Sequence, residues 1–495
     1  MIVVLDIGTS NIRAALLDGT AQVLHLGRVK YSLEIASSGH AEMDMRLFDD
    51  ALHAVLASVA AYARTHAITV CGISLTSQRS SVIPVDADGH ALYNALMWQD
   101  TRSAGICEEF APYREEIYRL TGVRLSPVFS APKMVYLKRF MPDIHEKSHK
   151  LIGFAEYTIH ALCGVFATDT SFASRTALFD INDLSWSDRL LDLFGLDRGK
   201  LCPVVPVGSV IASTVGWVRD LFGYPIPVLS AGGDQQCAAL GNGCLHPGDI
   251  MANLGTGAYV LALTDHVKSD RRMRLSINVS AIHGMWIYEG AVLSAGRTLD
   301  WVNDTFFADP TEDHPYQRFT AASRRAPAGA NGLRFDIHFA GKGTPDWDPK
   351  RRGRIDNLSF SHTKDDIARA VMEGIAYAVA ECVEVIEETN ASCAAVLHVS
   401  GGLSKDALQD DILSAVLHKE VVCAEGIEAT ILGAWISSAA MLGIHDSVGA
   451  AYAAASGSIT ELRYRASEDT IHTYRTILQK TNEHRDKGER DVQGR

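Results

Sequence analysis

Val4-Leu5-Asp6-Ile7-Gly8-Thr9-Ser10, with the strand-like run 12–17 behind it, decides the fold because its pattern occurs twice. In outline it returns as Ala252-Asn253-Leu254-Gly255-Thr256-Gly257, followed by the run 259–263. Each copy reads as strand, glycine turn, strand, and the spacing of about half a chain points to a duplicated unit. Two similar halves would face each other across a cleft, the kind of place where small ligands bind. Gly241, Gly243 and Pro247 punctuate the chain between them, so the expected division is 1–242 and 243–480. The remaining segment, 481–495, is polar and charged without apolar periodicity, and is expected to be disordered.

Working outward, short runs rich in Val, Ile and Leu at 2–5, 68–75, 81–85, 228–231, 251–254 and 395–400 read as further strands. Apolar residues recur at helical spacing over 46–64 and 364–388, and Thr363 followed by Asp366 resembles a capping box at the start of the second helix. Strands alternating with helices define an α/β protein. A length of 495 residues calls for more than one core, and 47% hydrophobic with 21% charged residues supplies the apolar material. The net charge of −13 gives no broad field for nucleic acid or an anionic membrane. Two basic runs, Arg271, Arg272 and Arg274, and Lys350, Arg351, Arg352 and Arg354, read as solvated loops. Nine scattered cysteines without a C-x-x-C pair argue for buried free thiols in a reducing compartment. The start of the chain lacks the features of a targeting signal, and the apolar stretch 431–444 is too short to span a bilayer, so a cytoplasmic location is expected.

A Gly-Thr turn between strands presents backbone N–H groups and a hydroxyl with no Cβ to obstruct them, a cradle for phosphate oxygens. Two such turns could grip a polyphosphate. Neither a G-x-x-x-x-G-K-[ST] loop nor a G-x-G-x-x-G motif occurs, so ATP, if it binds, does so through the paired hairpins. Asp6, at its strand end, is placed to hold Mg²⁺ through water or to form a turn by bonding nearby backbone. In Ser230-Ala231-Gly232-Gly233-Asp234-Gln235-Gln236, a buried strand ends in two glycines and then a carboxylate, the group that could accept a proton from an attacking hydroxyl. Asp234 could equally be a helix N-cap, and the roles are compatible. Ser400-Gly401-Gly402 could let a nucleobase lie against bare backbone or could be a tight turn.

These segments occur in one order with Gly72-Ile-Ser, Ser77-Gln-Arg79, Trp98-Gln-Asp-Thr-Arg102, Thr168-Asp-Thr-Ser-Phe-Ala-Ser-Arg175 and Glu289-Gly-Ala. The ordered set resembles the FGGY carbohydrate kinases from residue 1 to about 445, a family that includes glycerol kinase, xylulokinase and gluconokinase. The resemblance implies duplicated ribonuclease H-like, actin-type ATPase domains forming two lobes around a cleft. The N-terminal lobe would hold sugar, and the C-terminal lobe ATP. It also implies Asp234 as catalytic base and Asp6 with Asp234 near Mg²⁺. The first phosphate segment would be Gly8, Thr9, Ser10, Asn11 and Arg13, and the second Gly255, Thr256 and Gly257. Gly401, Gly402 and Asp406 would meet adenosine, Asp406 standing where an asparagine is usual.

Arg79, Trp98, Asp234, Gln235 and Tyr259 resemble the polyol pocket of the family. Ser80 stands where that pocket has a glutamate, and Val128 where it has a tyrosine. Both differences remove hydroxyl partners and open volume, so the expected acceptor is larger than glycerol: a polyol, ketose or sugar acid phosphorylated on a primary hydroxyl. Glycerol kinase proper and a pentulokinase are the alternatives, although the xylulokinase-type Met-His-Gly does not appear. From other classes, an actin-like ATPase or a non-catalytic sugar sensor would use the same loops without phosphorylating sugar. The oligomeric state stays open, a homodimer included.

Overall fold

The computed structural model describes residues 1–36, 39–308 and 316–479. The tail expected at 481–495 lies outside them. The chain divides into two units that alternate along the sequence. The first takes 1–247, 263–288 and 425–460, and the second takes 248–262, 289–424 and the stretch from 461. The expected division at 242 and 243 lies close to the first change of unit, after which the chain returns to the first unit twice.

The first unit is built on strands β1 (Ile2–Ile7), β2 (Asn11–Leu17), β3 (Val23–Lys30), β4 (Gly72–Ser77), β5 (Val210–Ser213) and β6 (Pro227–Gly233), in the order β5-β6-β4-β1-β2-β3. β1 pairs antiparallel with β2 across the first Gly-Thr turn and parallel with β4, which in turn lies parallel to β6. All six residues of β1 are buried, because both faces of the strand are covered. Val3, Leu5 and Ile7 pack with the helix Met45–Thr65, while Ile2 and Val4 pack with Trp435 and its neighbours on the helix Ala429–Met441. That alternation follows from the two-residue period of a strand.

In the second unit, β7 (Ile250–Leu254), β8 (Ala258–Thr264), β9 (Trp286–Val292), β10 (Val396–Ser400) and β11 (Glu420–Gly426) run in the order β9-β8-β7-β10-β11. β7 pairs antiparallel with β8 across the second Gly-Thr turn and parallel with β10, and β10 lies parallel to β11. The five-strand run β3-β2-β1-β4-β6 of the first sheet matches β9-β8-β7-β10-β11 of the second, with the glycine hairpin at the same place in each, so the duplicated motif belongs to a duplicated topology.

The expected helices appear as Met45–Thr65 and Lys364–Asn390. The second begins with the expected capping box, the Thr363 N–H donating to Asp366 at 2.7 Å. The strand expected at 68–75 instead spans Gly72–Ser77. Its polar half could be buried because Ser74 donates its hydroxyl to the Ala434 carbonyl at 2.8 Å. β3 escaped the sequence reading because it is an outer strand whose side chains are mostly half-buried or exposed. One basic run departs from expectation: Arg274 is half-buried and pairs with buried Asp270 at 3.0 Å. All nine cysteines are free thiols; six are buried, Cys107 is half-buried, and Cys71 and Cys393 are exposed.

Candidate active site

In the first unit, β1 and β6 deliver two carboxylates near their C-terminal ends. Asp6 is 2% exposed and sits opposite Arg13 in the β1–β2 ladder. Arg13 donates from Nε to Asp6 Oδ2 at 2.9 Å, and its guanidinium also ion-pairs with Glu428, at the start of the helix Ala429–Met441. Burial raises the Asp6 carboxyl to about 6; Arg13 opposes the rise, while Asp234 and Glu428 add to it. A neighbouring like charge disfavours ionisation. Asp234 therefore lies within electrostatic reach of Asp6.

Asp234 is the first residue of the helix Asp234–Gly241. Gly233 is the N-cap, so the N-cap expectation for Asp234 is off by one residue. Asp234 Oδ1 accepts from the Gln235 N–H at 2.8 Å and meets Arg79 Nε at 3.1 Å. Gly233 allows that approach: a Cβ there would lie 2.6 Å from Arg79 Cδ. Beneath this corner, buried Asp169 accepts from Ser230 and Ser171, and the Ser171 hydroxyl accepts from the Gly233 N–H at 3.1 Å. The sequence reading quoted Asp169 within a motif without giving it this supporting role.

The first glycine turn closes through the Gly8 N–H to the Asn11 carbonyl at 2.9 Å. Trp98 donates from Nε1 to Thr9 Oγ1 at 3.0 Å, joining an expected acceptor residue to the expected phosphate segment. Ser80 is placed differently. It is buried at a φ of +71°, and its hydroxyl donates to the Arg175 carbonyl at 3.1 Å.

In the second unit, the turn at Gly255–Gly257 is anchored to the start of the helix Gly296–Phe306. The Gly255 carbonyl accepts from Gly296 N–H at 3.0 Å, and the Thr256 carbonyl accepts from Arg297 N–H at 3.1 Å. A Cβ on Gly296 would stand 2.6 Å from the Gly255 oxygen. Beside this turn opens a cavity of about 640 Å³, lined among others by Thr256, Leu299, Tyr316, Arg324, Gly402 and Asp406. Gly401 adopts a φ of +98°, and a Cβ there would lie 2.5 Å from the Leu254 carbonyl oxygen. Asp406 caps the helix Ala407–Leu417 through Leu408 N–H and pairs with Arg324 at 2.9 Å. Gly255, Thr256, Gly402 and Asp406 thus share one cavity, with Gly401 adjoining Gly402. Tyr259 is half-buried on β8.

The first unit therefore gathers Asp6, the 8–13 segment, Arg79, Trp98, Asp234 and Gln235. Sequence reading missed Glu428 and its link to Arg13, since that pair is distant along the chain and no local pattern announces it.

Two sheets sharing a five-strand arrangement with a glycine hairpin each, a carboxylate pair and a roomy cavity define an α/β protein suited to handling phosphates. Residues 1–241 match the N-terminal domain model, and residues 250–442 the C-terminal domain model, of the FGGY family of carbohydrate kinases. The chain is 31% identical over 444 residues to glycerol kinase of Bacillus licheniformis, covering 87% of this chain and 88% of that one. It is 29% identical to glycerol kinase of Thermus thermophilus, with the same coverage. Its fold matches gluconate kinase from Lactobacillus acidophilus with a TM-score of 0.89 at 23% identity, covering 98% and 97% of the two chains. It matches Plasmodium falciparum glycerol kinase with ADP at a TM-score of 0.87 and 23% identity, covering 98% of each chain. The chain belongs to the FGGY family of carbohydrate kinases. It is an enzyme, a phosphotransferase acting on an alcohol group of a sugar or polyol, and its fold is the duplicated actin-like, ribonuclease H-like type.

Proposed function

We propose that the chain transfers the γ-phosphate of ATP to a primary hydroxyl of a sugar, polyol or sugar acid larger than glycerol. The observation that carries the chemistry is the Arg79–Asp234 pair at 3.1 Å, held at a strand end within electrostatic reach of buried Asp6. Asp234 would orient the attacking hydroxyl and take its proton, with Arg79 holding the carboxylate in place. The turns at 8–10 and 255–257 would supply amides and hydroxyls to phosphate oxygens, with Arg13 adding a fixed positive charge. Asp406 and Gly402 would border the nucleoside in the second unit.

The donor set suits a hard cation. Asp6 is buried, acidic only with difficulty and further burdened by Asp234, a crowding of oxygen donors that a divalent ion relieves. Asp6 and Asp234 would hold Mg²⁺, which when bound supplies positive charge against the phosphates. Among the described residues no helix is long and apolar enough to cross a membrane, and the cytoplasm is the proposed place of work.

The size of the acceptor rests on Ser80. With its proton donated to the Arg175 carbonyl, its hydroxyl could meet a substrate hydroxyl only as an acceptor, on a side chain shorter than the family's glutamate. Val128, also in the first unit, brings no polar side-chain group. Glycerol itself is the second reading, favoured by the full set Arg79, Trp98, Asp234, Gln235 and Tyr259 and by the similarity to glycerol kinases. ADP release measured against polyols, ketoses and sugar acids of three to six carbons separates them. A four- to six-carbon compound is expected to give the highest kcat/KM, and glycerol ranking first would overturn the larger-acceptor reading.

A further inference from the structure

Lys133 is fully buried, with no exposed surface, in the first turns of the helix Ser130–Phe140. A cation is unfavourable there twice over, once from burial and once from the positive end of the helix dipole. Its surroundings explain why it is tolerated. Nζ donates to the carbonyls of Pro127 and Val128 at 2.6 Å each, with Phe129 at 3.2 Å and Ser80 at 3.3 Å. An ammonium has three protons for these four oxygens, so at least one proton is shared, and every donor is directed at backbone. Burial pushes the ammonium down to about 7, against the pull of Asp100 and Cys107.

The four carbonyls come from two chain segments far apart in sequence. One runs through Ser80, next to Arg79, whose side chain pairs with Asp234. The other carries Val128. We propose that Lys133 is a positioning residue for acceptor selection, an internal clamp that fixes the Ser80 segment against the 127–129 segment and so sets the width of the acceptor pocket. The inference rests on the reading of Ser80 and Val128 as pocket wall. Because Nζ is directed at backbone carbonyls, Lys133 would act through the backbone it holds.

A clamp of this kind affects discrimination among acceptors, whereas a purely structural lysine affects only how much enzyme is active. The experiment compares wild type with Lys133→Met and Lys133→Gln, measuring kcat/KM for the best acceptor of the panel and for glycerol, together with the KM for ATP. The ratio of the two acceptor values is independent of the active fraction. In Lys133→Met the ratio is expected to fall about tenfold, the scale on which loosely matched pockets discriminate, while the KM for ATP stays within about twofold of wild type. Lys133→Gln, which keeps an N–H donor in similar volume, should retain more of the ratio. A wild-type ratio in both variants, or equal loss in both, would overturn the role of Lys133. Absence of acceptor-dependent ADP release from the wild type would instead count against the acceptor reading on which the inference rests.

Discussion

Asp410 lies fully buried in the helix Ala407–Leu417, and neither carboxylate oxygen has a hydrogen-bond partner among the described residues. Burial, with Asp411 and Asp406 adding to it, raises its carboxyl to about 8. An acid whose folded pKa lies above its unfolded value of about 4 binds a proton in the folded state that the unfolded chain has released. Its contribution to stability therefore falls as pH rises from about 4 towards 8 and levels off above. Asp410→Asn should remove this dependence, stabilising the protein by about 1–3 kcal/mol at pH 8 and by much less at pH 5, as read by denaturant unfolding. Equal gains at both pH values would show that the carboxylate is not protonated in the fold. Residues whose placement is written in their immediate neighbours were legible beforehand: Asp6 and Asp234 stand beside glycines at strand ends. Asp410, Glu428 and Lys133 were not, because what defines each is burial or a partner brought close only by folding.

At the scale of elements, two glycines set how closely two helices pack. A Cβ on Gly433, in the helix Ala429–Met441, would lie 1.8 Å from the Cys237 carbonyl oxygen. A Cβ on Gly241, at the end of the helix Asp234–Gly241, would lie 1.9 Å from that of Ala429. The helices meet backbone to backbone, and one of them begins with Asp234. Gly433→Ala must separate them, with an expected cost of about 1–3 kcal/mol and a fall in kcat of up to about a hundredfold from displacing the carboxylate. Thermal melting and steady-state kinetics on the purified variant measure both, and wild-type values for each would exclude the close packing. The hairpins and the capping box at Thr363 were readable because turn glycines and caps are local signals. The glycine contact was not, since Gly433 inside an apolar helix gives no hint of its opposite number.

For the whole molecule, the repeated glycine turn announced a duplicated architecture correctly, and the two sheets share a run of five strands in the same arrangement. What a linear reading could not supply is the way each unit is assembled from separated stretches. The helix Ala429–Met441, late in the chain, covers Ile2 and Val4 at its start, and Trp435 donates to the Asp18 carbonyl at 3.0 Å. Only tertiary packing reveals that closure. With a net charge of −13, ATP would meet an unfavourable overall field, so the proposed phosphate contacts would have to be local, at the glycine-turn amides. The most direct test is ADP release by wild type and Asp234→Asn, with and without a sugar or polyol acceptor, beside nucleotide affinity measured by calorimetry. Acceptor-dependent turnover in the wild type, lowered about 10²–10⁴-fold in Asp234→Asn with nucleotide affinity unchanged, is the expected result. Near-normal turnover in the variant, or ADP release indifferent to any acceptor, would contradict phosphoryl transfer with Asp234 as its base.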